Sequence, residues 1–368
     1  MRATDVHPSR LQQAKQLAGD LVDQMTHQQD AAMVIAFSDQ AQIMTPFTRA
    51  RSQIKNAIHS IQPTESSTSL REALVVAAGL ANPASRDQNL GKLNFEKFEK
   101  IIKTSIEENY LLLTIDDAFE SFYVNAWPIL KNKQIPFVLF VSTREIGKHG
   151  YMNWEQIKEL DSNNLVTIGN HSHSHEYLID WKENKIKSDL ETSIKIFEKK
   201  LGYSPKIFSY PFGEYSIILK KIVSNLNFEF AFGQHSGVID PTKDFLELPR
   251  FPINEKYGDL KRFKSIIQTL PFPYENITPE NRYLKQDENP PDIKIKFFDN
   301  LINIKNINCY SNEGNIWRKS DIQFISDNEL MIVLKEKFKS ERGRINCSLW
   351  EKSGKWRWLG IQYVIAEY

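Results

Sequence analysis

The chain has 368 residues, enough for two or three domains, with ordinary apolar and charged fractions for a globular protein. Its 47 Lys and Arg against 46 Asp and Glu leave a formal net charge of +1, so nothing electrostatic argues for nucleic acid or an anionic membrane as partner. It holds no run of eighteen apolar residues, so no membrane span is expected.

The first residues, Met1 to Pro8, are polar and have no apolar h-region, so the chain as written reads as cytoplasmic. Arg10 to Met25 places Leu11, Ala14, Ala18, Leu21 and Met25 on one helical face. Ala31 to Phe37 is a short apolar run, expected as a buried strand. Ser52 to Ile61 reads as a second helix. Ser66-Ser67-Thr68 caps a third over Leu70 to Ala78, with Glu72 in its first turn. The composition then changes near residue 90. Lysine occurs earlier only at Lys15 and Lys55, whereas Lys, Ile, Asn and Phe dominate later. The change marks a domain boundary.

From residue 95 strands and helices alternate. Expected helices are Phe95 to Glu108, Phe119 to Lys131 with a bend at Pro128, Asn153 to Leu160, Lys185 to Leu201 and Tyr215 to Leu226. Expected strands are Tyr110 to Ile115, Ile135 to Val141, Leu165 to Gly169, Lys206 to Ser209 and Phe228 to Phe232. That order predicts a parallel sheet, open or closed as a barrel. Beyond Pro273 the pattern turns to strands: Asp292 to Phe297, Glu329 to Leu334, and a hairpin turning at Ser353-Gly354 into Trp356 to Ile365. The tryptophans of this β-rich tail are expected in its core, with sugar stacking as the alternative. Cys309 and Cys347 are expected as buried thiols. The division is therefore 1–90, 91–272 and 273–368.

Chemistry gathers directly after the strands. Asp116 and Asp117 follow the first strand of the alternating region, where a parallel α/β fold collects catalytic groups. His171, His173 and His175 follow a later strand, three of only eight histidines in the chain. Two imidazoles at i and i+4 with one carboxylate form a metal set that leaves a position open. Ser209-Tyr210-Pro211-Phe212-Gly213 follows another strand, and a Pro–Gly turn exposes backbone amides suited to an oxyanion.

Thr114-Ile115-Asp116-Asp117, Gly169-Asn170-His171-Ser172-His173-Ser174-His175 and Pro211-Phe212-Gly213, in that order, resemble the polysaccharide deacetylase family, carbohydrate esterase family 4 or NodB-homology domain. The resemblance covers residues 109 to about 255, and Met152 to Leu160 is also typical of it. It implies a distorted (β/α) barrel of about seven strands. It implies that Asp117, His171 and His175 hold a divalent metal, zinc first and cobalt, nickel or manganese as alternatives. Asp116 would be the general base, and His173 would point elsewhere. Tyr210, Pro211, Phe212 and Gly213 would line the substrate and oxyanion side. His235 is the candidate general acid, although the family's Leu-x-His motif is absent. Ser209 stands where many members have an arginine that orients the base, and Arg250 is expected to supply that charge. The implied substrate is an acetylated glycan, from which the enzyme removes N-acetyl groups. O-acetyl or other C–N bond hydrolysis, and a non-catalytic binding module, are the alternatives.

Residues 31–39 and 67–70 resemble part of a von Willebrand factor A domain. Of that family's ion site only Thr68 matches. The Asp-x-Ser-x-Ser loop would lie before Met1, and Asp87 follows no predicted strand, so the segment reads as a partial α/β module.

Overall fold

The computed structural model describes residues 9–25, 30–37, 41–63, 111–254, 257–298 and 304–366. The chain forms two compact units, Met1–Asn89 and Leu90–Tyr368. The helices expected over Leu70 to Ala78 and Phe95 to Glu108, the start of the strand at Tyr110, Thr68 and Asp87 lie outside the described residues.

In the first unit, α1 (Arg10–Asp23) starts at Ser9, whose hydroxyl accepts the Gln12 amide at 3.2 Å. Strands β1 (Ala32–Phe37) and β2 (Ala41–Thr48) form an antiparallel hairpin, followed by α2 (Arg51–Ser60). Val22, Val34, Ile54, Ala57 and Ile58 make its core. The sequence reading did not anticipate β2, which carries Pro46 and two threonines. It also made β1 too deep. Only Val34 is buried there, because packing against α2 covers one face of the hairpin.

The second unit begins with five parallel strands hydrogen-bonded in chain order: β3 (Leu113–Ile115), β4 (Phe137–Val141), β5 (Val166–Asn170), β6 (Ile207–Ser209) and β7 (Phe230–Phe232). Leu248 adds a further parallel bridge to Phe232. The sheet curls as the arc of a distorted (β/α) barrel. Every residue of β4 is buried, since both faces of this strand are covered.

Between β3 and β4 lie two short helices, α3 (Glu120–Asn125) and α4 (Trp127–Asn132). They break at Ala126, so Pro128 falls in the first turn of α4, where its missing N–H costs nothing. Helix α5 (Trp154–Asp161) opens on a reciprocal capping box between Asn153 and Gln156. Helix α6 (Glu183–Leu201) ends at Gly202, whose φ of 84° is the left-handed cap that glycine adopts without strain. Helix α7 (Ile217–Asn225) is capped by Ser216. A short α8 (Leu260–Ile266), not anticipated from sequence, leads into the tail.

The tail is two sheets sharing one apolar core. One runs β10 (Tyr283–Leu284), β17 (Trp356–Ile365), β16 (Arg342–Trp350), β12 (Asn308–Ser311), β13 (Arg318–Lys319), with β8 (Leu270–Pro271) also on β17. The other runs β14 (Asp321–Phe324), β15 (Glu329–Val333), β11 (Ile293–Phe297), β9 (Tyr274–Thr278). Ile293, Ile295 and Phe297 alternate into the core as their spacing predicted. The expected hairpin is β16–β17, turning at Gly354 with φ 77°.

Two expectations for the tail are corrected. Cys309 and Cys347 are not free thiols. They stand opposite each other in the antiparallel pair β12–β16 and form a disulfide. Nor do the tryptophans all enter the core: Trp317, Trp350 and Trp356 are exposed, the last two because the inward face of β16 and β17 already fills the core. The tail also packs on the barrel strands' loops. Gly237 bridges Leu359, and a side chain at Gly360 would meet the Ser236 carbonyl at 2.3 Å.

Candidate metal centre

Each candidate side chain sits just past the carboxyl end of a parallel strand, the edge where an α/β sheet leaves crevices. Asp116 and Asp117 follow β3, His171 to His175 follow β5, and Ser209 ends β6. Asp117 Oδ1 lies 3.1 Å from His175 Nε2 and 3.5 Å from His171 Nε2. Among the described residues these three form the group whose ligand atoms converge, all within 4.8 Å of one another.

The tautomer of His171 follows from its other nitrogen. Nδ1 lies 2.7 Å from the Ser209 carbonyl oxygen, which only accepts, so Nδ1 carries the proton and Nε2 keeps its lone pair. A backbone partner on the distal nitrogen is the arrangement that orients a metal-binding imidazole. The donor set of one carboxylate and two imidazoles thus fits a divalent metal with an open position.

Burial first, and the nearby His175 charge, hold the His171 imidazolium pKa below its ordinary value, against the pull of Asp116 and Asp117. His175 is shifted the other way: burial lowers it, but the hydrogen bond and charge of Asp117 win and raise it. His173 is turned aside, with Nδ1 2.9 Å from Thr143 Oγ1.

The backbone here is strained. Asp117, Ala118, Ser172, His175 and Phe212 all have positive φ between 52° and 73°, five of the eight such non-glycine residues described. Each costs of the order of 1–3 kcal/mol and persists only where its surroundings overdetermine it. The surroundings are specific. Asp189 on α6 accepts the His173 and Ser174 amides at 2.9 and 3.0 Å. Asn170 Oδ1 accepts the Ser172 amide and the Ser193 hydroxyl. Ser142 donates to the His171 carbonyl at 2.7 Å. Sequence reading missed Asp189 and Ser193. The available signal was a polar pair inside the buried stripe Ile186, Asp189, Leu190, Ser193, Phe197 of one helix.

Asp116 points to different partners. Arg250 grips it with both ends of the guanidinium, Nη1 to Oδ1 at 2.7 Å and Nη2 to Oδ2 at 2.9 Å. Arg250 Nη2 also donates to Ser209 Oγ at 3.0 Å, and its Nε to the Gly233 carbonyl. Burial alone would raise the Asp116 pKa. The Arg250 charge, then His171, outweigh it and set the pKa at about 2.

The Pro211–Gly213 turn stands beside the histidines, the Phe212 ring 4.8 Å from His175 and stacked on Tyr177 at 4.2 Å. Its amides divide. Tyr210 donates to the Phe232 carbonyl and Gly213 to the Tyr210 carbonyl, while Pro211 has no N–H. Of the residues expected on the oxyanion side, Phe212 therefore brings the amide to consider. Tyr210 is corrected: its ring is fully buried in the core and its hydroxyl donates to the Leu246 carbonyl.

His235 lies in a cavity shared by the barrel and tail, against Tyr215 at 5.8 Å between rings, with Arg282 also lining it. Its Nδ1 is buried without a hydrogen-bond partner. Burial first, then the positive charges of Arg282 and Arg250, lower its pKa to about 3. The ring is neutral near pH 7 and holds no proton to give as an imidazolium acid.

Residues 103–231 match the family model of polysaccharide deacetylases, and residues 1–93 that of the von Willebrand factor type A domain. Two relatives from Staphylococcus aureus are each named poly-beta-1,6-N-acetyl-D-glucosamine N-deacetylase. That of strain MSSA476 is 26% identical over 176 residues, and that of strain MRSA252 is 27% identical over 178. Each alignment takes in 44% of this chain and 59% of the relative, so the chain spans less than two thirds of their length. Among solved structures, IcaB from Ammonifex degensii aligns with a TM-score of 0.46 at 22% identity, covering 57% of this chain and 93% of that one.

Proposed function

We propose that this chain, whose residues 103–231 match the polysaccharide deacetylase family model, removes N-acetyl groups from a β-linked N-acetylglucosamine glycan by metal-assisted hydrolysis. The observation that carries the reading is the division of labour between two adjacent carboxylates. Asp117 converges with His171 and His175, while Asp116 is turned away onto Arg250. The names of the staphylococcal relatives support a β-1,6-linked substrate.

When bound, a divalent ion in this set supplies Lewis acidity that brings a water's pKa from about 15.7 towards about 7. The remaining chemistry belongs to the chain. Arg250 keeps Asp116 ionised above about pH 2, so it stands ready as a proton acceptor at working pH. An acceptor this acidic is matched only to an acidified donor, which ties Asp116 to the neighbouring ligand set. The Phe212 amide, in the turn whose ring lies beside His175, would donate to a developing oxyanion, worth roughly 3–4 kcal/mol. In this reading residues 91–272 carry the chemistry, with residues 273–368 packed in the same compact unit and residues 1–89 forming another.

The test is acetate release from β-1,6-linked N-acetylglucosamine oligomers, with and without a chelator, in wild type and Asp116→Asn. Release abolished by both supports the reading. Release that survives the chelator overturns the metal, and a metal-loaded protein that releases nothing from any N-acetylated oligomer overturns the substrate.

A further inference from the structure

Hairpin β16–β17 has two unlike faces. Gly343, Ile345, Cys347 and Leu349 turn to the core, so Arg342, Arg344, Asn346, Ser348 and Trp350 lie on the opposite face. The register places Trp356 across from Trp350 and Trp358 across from Ser348 on that same face, whereas further along β17 Gly360 packs on Ser236 and Gln362 and Val364 are buried, so the open part of the face follows β16 and β12. Tyr310 of β12 joins it opposite Asn346. Trp350, Trp356 and Tyr310 are 51%, 41% and 45% exposed, and the two indoles meet at 4.9 Å.

The inner end of this face reaches the metal centre's wall. Arg342 pairs with buried Glu214 at 2.6 Å, and its guanidinium carbon lies 5.7 Å from the Phe212 ring, which in turn contacts His175. Trp358 meets Phe251, the residue after Arg250, at 5.9 Å. The outer end is the Trp350–Trp356 pair. Eight residue steps separate Arg342 from Trp350, so the face runs for about 27 Å at strand spacing, the length of several sugar rings.

We propose that this face is an extended glycan-binding track that holds the polymer on one side of the scissile residue and feeds it to the metal centre. The inference rests on the deacetylase reading for what happens at the inner end. The chemistry of the track suits a sugar chain. Pyranose rings present flat C–H faces edged by hydroxyls and amides, and here broad aromatic surfaces alternate with polar groups. Asn346 Oδ1 accepts the Trp358 indole N–H at 3.1 Å, and Arg344 Nε donates to Gln362 at 3.1 Å. Charge points the same way. Arg344, the exposed guanidinium of the face, tolerates a neutral N-acetylated chain and repels uncovered cationic amines, which favours release of product over substrate.

The test compares kcat/KM on N-acetylglucosamine dimers and hexamers, together with retardation of the protein in a gel containing the N-acetylated polymer. Wild type should favour the hexamer by about tenfold or more and be retarded. In Trp350→Ala/Trp356→Ala the preference should fall towards unity, through KM, and retardation should vanish, with an unchanged melting temperature. A conservative Trp350→Phe/Trp356→Phe should restore much of both. Equal kcat/KM for dimer and hexamer in wild type overturns the track, as does a folded double-alanine variant that keeps the preference. Should wild type release no acetate, retardation lost on the alanine substitutions still supports the track while the deacetylase reading fails, and absence of retardation in wild type overturns it.

Discussion

Arg250 closes a two-point ion pair on Asp116 across 134 positions of sequence, both N–O distances under 3 Å. The pair occupies the place where Ser209, at the end of β6, offers only a hydroxyl. A planar fork matched to a carboxylate fixes orientation as well as charge, which a lysine cannot reproduce.

Replacing Arg250 by Ala or Lys should lower kcat by about 10²-fold, within the range typical of general-base losses. The pH profile separates positioning from simple structural damage. Arg250 is the largest influence lowering the Asp116 pKa, so its removal lets that pKa rise. The acid limb of kcat/KM, which needs Asp116 ionised, should move to higher pH. An unchanged limb with full activity would remove Arg250 from the site.

The three histidines of residues 171–175 should separate by metal content. His171→Ala and His175→Ala remove converging ligand atoms and should leave the purified protein without stoichiometric metal. His173→Ala removes a side chain directed to Thr143 and should retain it. Elemental analysis after dialysis reads the difference, and loss of metal in all three variants would contradict the geometry.

His235 makes a prediction about stability rather than turnover. Its folded pKa of about 3 lies below the ordinary 6.5, so between those values the unfolded chain takes up a proton that the folded chain refuses. Its contribution is complete above about pH 6.5 and is lost as pH falls towards 3. Urea denaturation at pH 7 and pH 5 should show a larger drop in stability for wild type than for His235→Asn. Equal drops would mean that the ring is not neutral and buried in the folded state.

The Cys309–Cys347 disulfide closes a loop 38 residues long in sequence separation. Denatured protein should show no reactive thiol before reduction and two after it. Reduction should cost about 2–4 kcal/mol of tail stability. Two thiols without reduction would restore the expectation of free cysteines.

Gly169 in β5 offers a packing test beside the metal loop. A Cβ there would lie 2.4 Å from the buried Phe140 ring. Gly169→Ala should destabilise by about 1–3 kcal/mol, read as a lower urea midpoint, and a neutral result would mean that Phe140 can move aside.

The sequence by itself determined the elements whose signal is local. Alternating apolar runs and amphipathic stretches gave β3 to β7 and the helices between them, because period and strand burial are written into neighbouring residues. Asp116, Asp117, His171 and His175 were legible for the same reason: each follows a recognisable strand, and parallel order brings strand ends together. What depends on distant partners was not legible. Only the fold turns Asp117 and Asp116 to different neighbours, brings Asp189 under the histidine loop and buries Tyr210 out of the site. The cysteines and tryptophans of the tail were misread because their fate is a matter of register. One residue of shift exchanges core and surface, and only the β12–β16–β17 pairing sets Cys309 against Cys347 and leaves Trp350 and Trp356 in solvent.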